Sequence, residues 1–374
     1  MNLIKVFTLV GTRPEIIRLS EVMKYLDSIE GIEHILAHTG QNYDYELNKI
    51  FFEDLNLRSP DFYLNISGKT ASEKIGNIFT KLDPILTETK PDAFLVLGDT
   101  NSCLGAYVAK RHKIPIFHME AGNRCFDQRV PEEINRKIVD HLADINMPYS
   151  DISREYLIRE GIDPQRIIKT GSPMMEVINQ NRQRINHSNI LSRLNLKKKE
   201  YILLSTHREE NVEDSISLRN ILQGVLKLGE EFQKKIIFPV HPRTRIKLEN
   251  ESFENKIEFI KPVSFSDFVR LQEDSALVLS DSGTISEESG ILKFKALNIR
   301  ATHERPEAME EGYIMFTGTN KDNIYHFGRI LLQNNISRSN YRIPNDYNVD
   351  NVSFKVVNTI LSHIHYINNV VWKK

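Results

Sequence analysis

Short apolar runs that lead into small or polar residues, each followed by a stretch of helical period, recur along this chain and restrict its architecture more than any other feature. In the first half they cover residues 4–10, 34–38, 93–97, 114–118 and 166–170, and they are rich in Val, Ile, Leu and Phe. Runs of this length alternating with helical segments predict a parallel sheet with crossover helices. Between the first two runs, Pro14 fits a first helical turn behind Thr12 as cap, and Ile16, Leu19, Met23 and Leu26 recur at spacings of 3, 4 and 3. Such spacing gives the helix one apolar stripe to lay on the sheet.

The pattern pauses at Gly171-Ser172-Pro173 and through a polar stretch, 180–200, then resumes at 201–205, 235–240, 257–260, 276–279 and 296–299. Two similar series separated by a break predict two similar domains, as a chain of 374 residues requires when one core stops growing near 250–300 residues. The boundaries expected are 1–172 for the first domain, joined by a C-terminal helix over 355–374, and 173–354 for the second. Val357, Ile360, Ile364 and Ile367 supply the stripe of that last helix.

Composition excludes several function classes. With 49 basic and 50 acidic side chains the formal charge is -1, so nothing electrostatic attracts nucleic acid or a membrane surface, and a bound anion must be met locally. The two cysteines, Cys103 and Cys125, are too few for a disulfide scaffold and lack the spacing of a zinc site. No secretory leader and no apolar run of membrane-spanning length is read, which places the protein in the cytoplasm. Neither Gly-x-Gly-x-x-Gly nor a Walker A loop occurs, and no cluster has metal-ligand spacing, so no cofactor and no metal are expected.

In open parallel sheets, ligands bind beyond the carboxyl ends of the strands, where helix N-termini present N–H groups. The polar residues gathered at those ends are Arg13, Asp99, Glu120, His207, His241, Ser282 and Arg305. Asp99, in Gly98-Asp99-Thr100, reads equally as a helix cap. Glu120, between an apolar strand and Gly122, is harder to explain as a cap. Glu132 and Glu133 follow Pro131 and read singly as acids favoured by a helix dipole. Two strand-end carboxylates with a third nearby shift the balance toward acid–base work. His207 beside Arg208 suits an anionic leaving group, and Asp281-Ser282-Gly283-Thr284 turns a strand into a helix as phosphate-binding loops do. Arg13 and Arg305 offer bidentate guanidinium groups.

Taken in order, Gly11-Thr12-Arg13-Pro14-Glu15, Gly98-Asp99-Thr100, Glu120-Ala121-Gly122, Pro131-Glu132-Glu133 with Asn135-Arg136, His207-Arg208, Asp281-Ser282-Gly283 with Glu287-Glu288, and Glu304-Arg305-Pro306-Glu307 resemble the non-hydrolysing UDP-N-acetylglucosamine 2-epimerases. The resemblance runs over nearly the whole chain. It implies an α/β fold of two Rossmann-like domains, of the glycosyltransferase-B type with the active site in the interdomain cleft, and a homodimer. It implies inversion at carbon 2 of a UDP-N-acetylhexosamine by elimination of UDP and re-addition through a 2-acetamidoglycal. The family's catalytic residues fall on Asp99, Glu120, Glu132 and His207, without saying which carboxylate is base and which is acid. Its UDP contacts fall on Arg13, Arg18, His241, Phe268, Ser282, Gly283, Thr284, Glu288 and Arg305.

Departures bear on the substrate. Arg18 stands where the family has lysine, Thr284 where it has a second glycine, and Gly40-Gln41-Asn42-Tyr43-Asp44 where many members bind a second, activating UDP-sugar. The segment 124–130 resembles the subgroup that converts UDP-2-acetamido-2,6-dideoxy-L-talose to UDP-N-acetyl-L-fucosamine for capsule or O-antigen, and that is the substrate expected, with UDP-GlcNAc to UDP-ManNAc as the alternative. A glycosyltransferase of the same fold would need an acceptor. A UDP-sugar sensor would need no acid–base residues.

Overall fold

The computed structural model describes residues 3–40, 49–212, 214–240, 256–300, 302, 304–334 and 342–374. All five residues of Ala93–Leu97 are buried, and a strand buried on both faces belongs inside a parallel sheet covered by helices. It is β4 of a six-stranded parallel sheet with β1 (Ile4–Val10), β2 (Ile32–His38), β3 (Phe62–Tyr63), β5 (Ile116–Met119) and β6 (Ile145–Met147). The order is β3-β2-β1-β4-β5-β6, with Val6 level with Ala93 and Val10 level with His38. This is the Rossmann order, in which the connection reverses direction between β1 and β4. Phe7 and Phe94 stack at 5.5 Å across that junction.

A second parallel sheet repeats the scheme with β7 (Tyr201–Ser205), β8 (Lys235–Pro239), β9 (Glu258–Ile260), β10 (Leu277–Ser280), β11 (Ala296–Asn298) and β12 (Met315–Phe316). Its order, β12-β11-β10-β7-β8-β9, is the same sequence of connections, so its reversal lies between β7 and β10. Period-2 alternation is visible along β7: Ile202 and Leu204 enter one apolar cluster, Tyr201 and Leu203 the other, so helices cover both faces.

The chain divides into two compact units, Met1–Asn179 with Asn345–Lys374, and Gln180–Pro344. In the first unit, helix Val352–Val370 packs on helix Arg13–Ser28. The stripe Val357, Ile360, Ile364 and Ile367 is buried, each residue worth roughly 1.5–3 kcal/mol by area removed from water. The Ser353 amide and hydroxyl both donate to Glu176, which ties the start of this helix to helix Met174–Gln180.

The run at 166–170 is not a strand. Asp163 caps a short 3-10 turn, Pro164–Arg166, and the chain then touches β6 through one bridge, Asn146 to Ile167. The sheet position belongs instead to β6, which falls outside the apolar runs, as do the two-residue edge strands β3 and β12.

Candidate active site

The first unit gathers its acids around the reversal between β1 and β4. Thr12, extended at φ −133°, precedes helix Arg13–Ser28 with Pro14 in its first turn. Glu15, in that same turn, is buried and accepts the Thr12 amide at 3.0 Å, the Gly11 amide, and the Thr100 hydroxyl from the loop after β4. Burial pushes its carboxyl up to about 7 against the pull of those three donors, and the charge of Asp99 adds to the rise. One side chain therefore joins the two loops on either side of the reversal.

Asp99 follows the left-handed Gly98 (φ 76°). Its Oδ2 accepts from Nε and one terminal nitrogen of the buried Arg136, at 3.0 and 2.5 Å, and its carbonyl accepts from Asn135 at 2.9 Å. Both donors come from helix Pro131–Leu142, so the adjacent Asn135-Arg136 pair seen in the sequence is that helix gripping the Asp99 loop. Glu120 is itself left-handed at φ 63°, a conformation costing a non-glycine residue about 1–2 kcal/mol. Its carboxylate is ion-paired with Arg18 and accepts the Asn123 amide at 3.1 Å, all within the buried interior. It also lies against the Asp99 loop: a Cβ added to Gly98 would sit 3.8 Å from its Oε2. Arg18 in turn stands over the Tyr149 ring at 6.0 Å.

The structure separates Glu132 from Glu133. Glu132 is half-exposed in the first turn of its helix, whereas Glu133 is fully buried, pairs with Arg136 at 3.0 Å and accepts the Cys125 and Phe126 amides. The second acid of the pair thus shapes the segment after Glu120, a role its sequence neighbourhood does not announce. Arg13 is half-buried over the Phe51 ring, and burial lowers its guanidinium from the ordinary value.

In the second unit the reversal between β7 and β10 is organised by Asp281, fully buried, which accepts the Thr206 hydroxyl at 2.5 Å, the His207 and Arg208 amides, and Asn211 at 3.0 Å. Burial pushes its carboxyl up, but His207 and these donors outweigh it and hold it below the ordinary range. His207 Nδ1 stands 3.3 Å from Asp281, with nearly half the side chain exposed. Beyond β10, the Ser282 and Thr284 hydroxyls bond each other at 2.8 Å where helix Ile285–Leu292 begins. Gly283 lies against the next loop: a Cβ there would meet Glu304 Oε1 at 3.3 Å. Glu304 is held by Arg300 at 2.7 Å and Arg208 at 3.2 Å, and the buried Arg305 faces Glu287 at 3.4 Å. Glu288, also buried, accepts from Gln272 at 2.6 Å, and Phe268 packs into the apolar cluster beneath. His241 and residues 41–44 lie outside the described residues.

Each unit thus brings its own set of expected site residues to one sheet reversal: Arg13, Arg18, Asp99 and Glu120 in the first, His207, Ser282, Gly283, Thr284 and Arg305 in the second. Among the described residues no cluster of three His, Cys, Asp or Glu could hold a metal, and no helix is long and apolar enough to cross a membrane.

Residues 24–361 match the family described as UDP-N-acetylglucosamine 2-epimerase. The chain belongs to that family. The structure of UDP-N-acetylglucosamine 2-epimerase from Rickettsia bellii is 45% identical, with 100% of both chains covered and a TM-score of 0.91. A crystal structure of Methanocaldococcus jannaschii UDP-GlcNAc 2-epimerase in complex with UDP-GlcNAc and UDP is 35% identical over 96% of this chain and 100% of that one, at a TM-score of 0.89. The UDP-2,3-diacetamido-2,3-dideoxy-D-glucuronate 2-epimerase of Pseudomonas aeruginosa is 32% identical over 88% of this chain and 92% of its own length. Membership makes the protein an isomerase, with two Rossmann-like domains of the glycosyltransferase-B-like class. His118 and Asp140 have no part in the site as read from sequence, and Glu15 and Glu133 read there only as members of their motifs. All four are buried polar side chains, but only their contacts distinguish them from ordinary polar positions.

Proposed function

We propose that this epimerase inverts carbon 2 of UDP-N-acetylglucosamine, giving UDP-N-acetylmannosamine, and that carboxylates of the first unit act on the sugar while the second unit holds UDP. The observation carrying this reading is the pair Asp99 and Glu120, two acids on adjacent strand-end loops, each backed by its own arginine. The C2 proton adjoins no carbonyl, so its loss needs a base in place while the C1–O bond breaks. The C2–H electrons form C1=C2 and the C1–O pair leaves on UDP, producing a 2-acetamidoglycal. Return of a proton to the other face of C2 and of the UDP oxygen to C1 completes the inversion with no net redox change. Asp99, Glu120 and Glu132 supply the acid and base, and His207 with Arg208 meets the charge growing on the departing diphosphate. Arg13, Arg18, His241, Phe268, Ser282, Gly283, Thr284, Glu288 and Arg305 complete the substrate contacts, with no metal or cofactor in the chemistry.

UDP-GlcNAc takes first place because relatives at 45% and 35% identity bear that name. UDP-2-acetamido-2,6-dideoxy-L-talose, giving UDP-N-acetyl-L-fucosamine for capsule or O-antigen, is the second reading, favoured by the segment 124–130. There Arg124 is consumed by a buried ion pair with Asp140 and a partly exposed one with Glu160, while Phe126 stands out exposed. Proton NMR in deuterated water with each UDP-sugar separately is the test. The expected result is C2 deuteration and epimer formation from UDP-GlcNAc with no acceptor added. Turnover only of the 6-deoxy sugar would move the assignment to the second reading, and turnover only after an acceptor is supplied would make the protein a transferase. The homodimer and the domain limits 1–172 with 355–374, and 173–354, belong to the same proposal.

A further inference from the structure

Glu120 holds a backbone conformation that a glutamate adopts only where its surroundings dictate it. One buried side chain reaches the backbone turn from both sides. Asp140, in helix Pro131–Leu142, stands 2.9 Å through Oδ1 from Nδ1 of His118, two residues before Glu120, and accepts the Gly122 amide, two residues after it, at 3.2 Å. Its Oδ2 is 2.7 Å from Arg124 Nη1, which also donates to the Asn123 carbonyl, while the other two nitrogens reach Glu160. His118, fully buried, turns Nε2 to the Gly98 carbonyl at 2.8 Å, the residue before Asp99. With Nδ1 at ion-pair distance from Asp140 and Nε2 on the Gly98 carbonyl, the ring stands between Asp140 and the Asp99 loop.

We propose that Asp140 is a positioning residue for the reaction, clamping the left-handed Glu120 turn through His118 and Gly122 and, by way of His118, setting the Glu120 loop against the Asp99 loop. The inference rests on the epimerase reading above. Proton abstraction is steeply sensitive to placement, so releasing the clamp lowers turnover while the nucleotide contacts of the second unit are untouched. The groups facing Asp140 are His118, Arg124 and the Gly122 amide. Replacing its charge with an amide of the same shape removes what the first two require.

The test is Asp140→Asn, with Glu176→Gln as control, a buried carboxylate of the same unit that serves Ser353 at a helix start. Asp140→Asn is expected to lower kcat about 100-fold with UDP affinity within about twofold of wild type, whereas Glu176→Gln leaves kcat within about twofold. Should Asp140→Asn fail to fold, His118→Gln removes one arm and keeps a donor for Gly98, and is expected to lower kcat about tenfold at unchanged UDP affinity. A folded variant of either kind with wild-type kcat, or one in which kcat and UDP affinity fall together, overturns the proposal. Wild-type protein inert toward every UDP-N-acetylhexosamine would defeat the epimerase reading instead. Hydrogen exchange then still reads the clamp: the Gly122 amide must exchange about tenfold faster in Asp140→Asn than in Glu176→Gln, and equal rates overturn it.

Discussion

The two units share one order of strands yet carry different side chains at the same place in it. Around the reversal of the first sheet, the buried Glu15 and Glu120 flank the partly exposed Asp99, and Arg18 and Arg136 stand behind them. At the reversal of the second, the buried Asp281 is spent on orienting backbone amides and His207, and the buried Glu304 and Glu287 are each set against arginines, beside the Ser282 and Thr284 hydroxyls and Gly283. Glu120, in the loop after β5, is left-handed, whereas among the described residues the loops flanking either reversal, after β1 and β4 or after β7 and β10, hold no non-glycine residue with positive φ. Topology thus selects the address, and the side chains placed there select the reaction.

The sharpest way to break this contrast is to neutralise the first unit. Glu120→Gln should cut C2 deuterium exchange by about 10³-fold or more, with UDP affinity by calorimetry near wild type. Retained exchange would leave the acid cluster without its catalytic role. Next in size is the stability effect of Glu15. Its carboxyl is raised in the folded protein, from the ordinary 4.5 to about 7, so the native state binds more protons than the unfolded chain between those values. Stability from this group is therefore present at pH 4.5 and lost as pH rises through about 7, by up to about 3 kcal/mol. Glu15→Gln, which mimics the neutral acid, should remove that part of the pH dependence in urea titrations at pH 5 and pH 7.5. An identical pH slope in the variant would show that the site is more hydrated than its burial implies. The smallest effect belongs to the second unit. Arg305→Lys keeps a charge beside Glu287 but loses the planar fork, and should weaken UDP binding by about 1.5 kcal/mol, roughly tenfold. Unchanged UDP affinity would remove Arg305 from the nucleotide contacts and weaken the division of labour between the units.

Much of this molecule is legible without coordinates. Strands β1, β4 and β7 fall where the apolar runs place them, because a strand buried on both faces must be apolar throughout, and ends shift elsewhere by only one or two residues. The strands β3, β6 and β12 fall outside the apolar runs, whereas the equally short β9 and β11 lie within them, and the run at 166–170 is apolar because it lies alongside β6 without joining the sheet. Asp99, Glu120 and His207 could be picked out because each follows a strand, a position defined by local pattern. Glu133 and Asp140 could not: both read as ordinary helical acids, and only their burial against the loops after β4 and β5 gives them work.

Sequence alone determined the alternation of strand and helix, the two similar halves, and the polar residues that close each strand, since all of these follow from nearest-neighbour pattern and period. Tertiary structure decided which loops became neighbours: that Glu15 meets Thr100, that Arg136 reaches Asp99, and that Asp140 grips the chain on both sides of Glu120. These contacts join residues brought together by strand order and helix packing, and their strength comes from burial, where an unpaired charge is costly and a paired one is held in place.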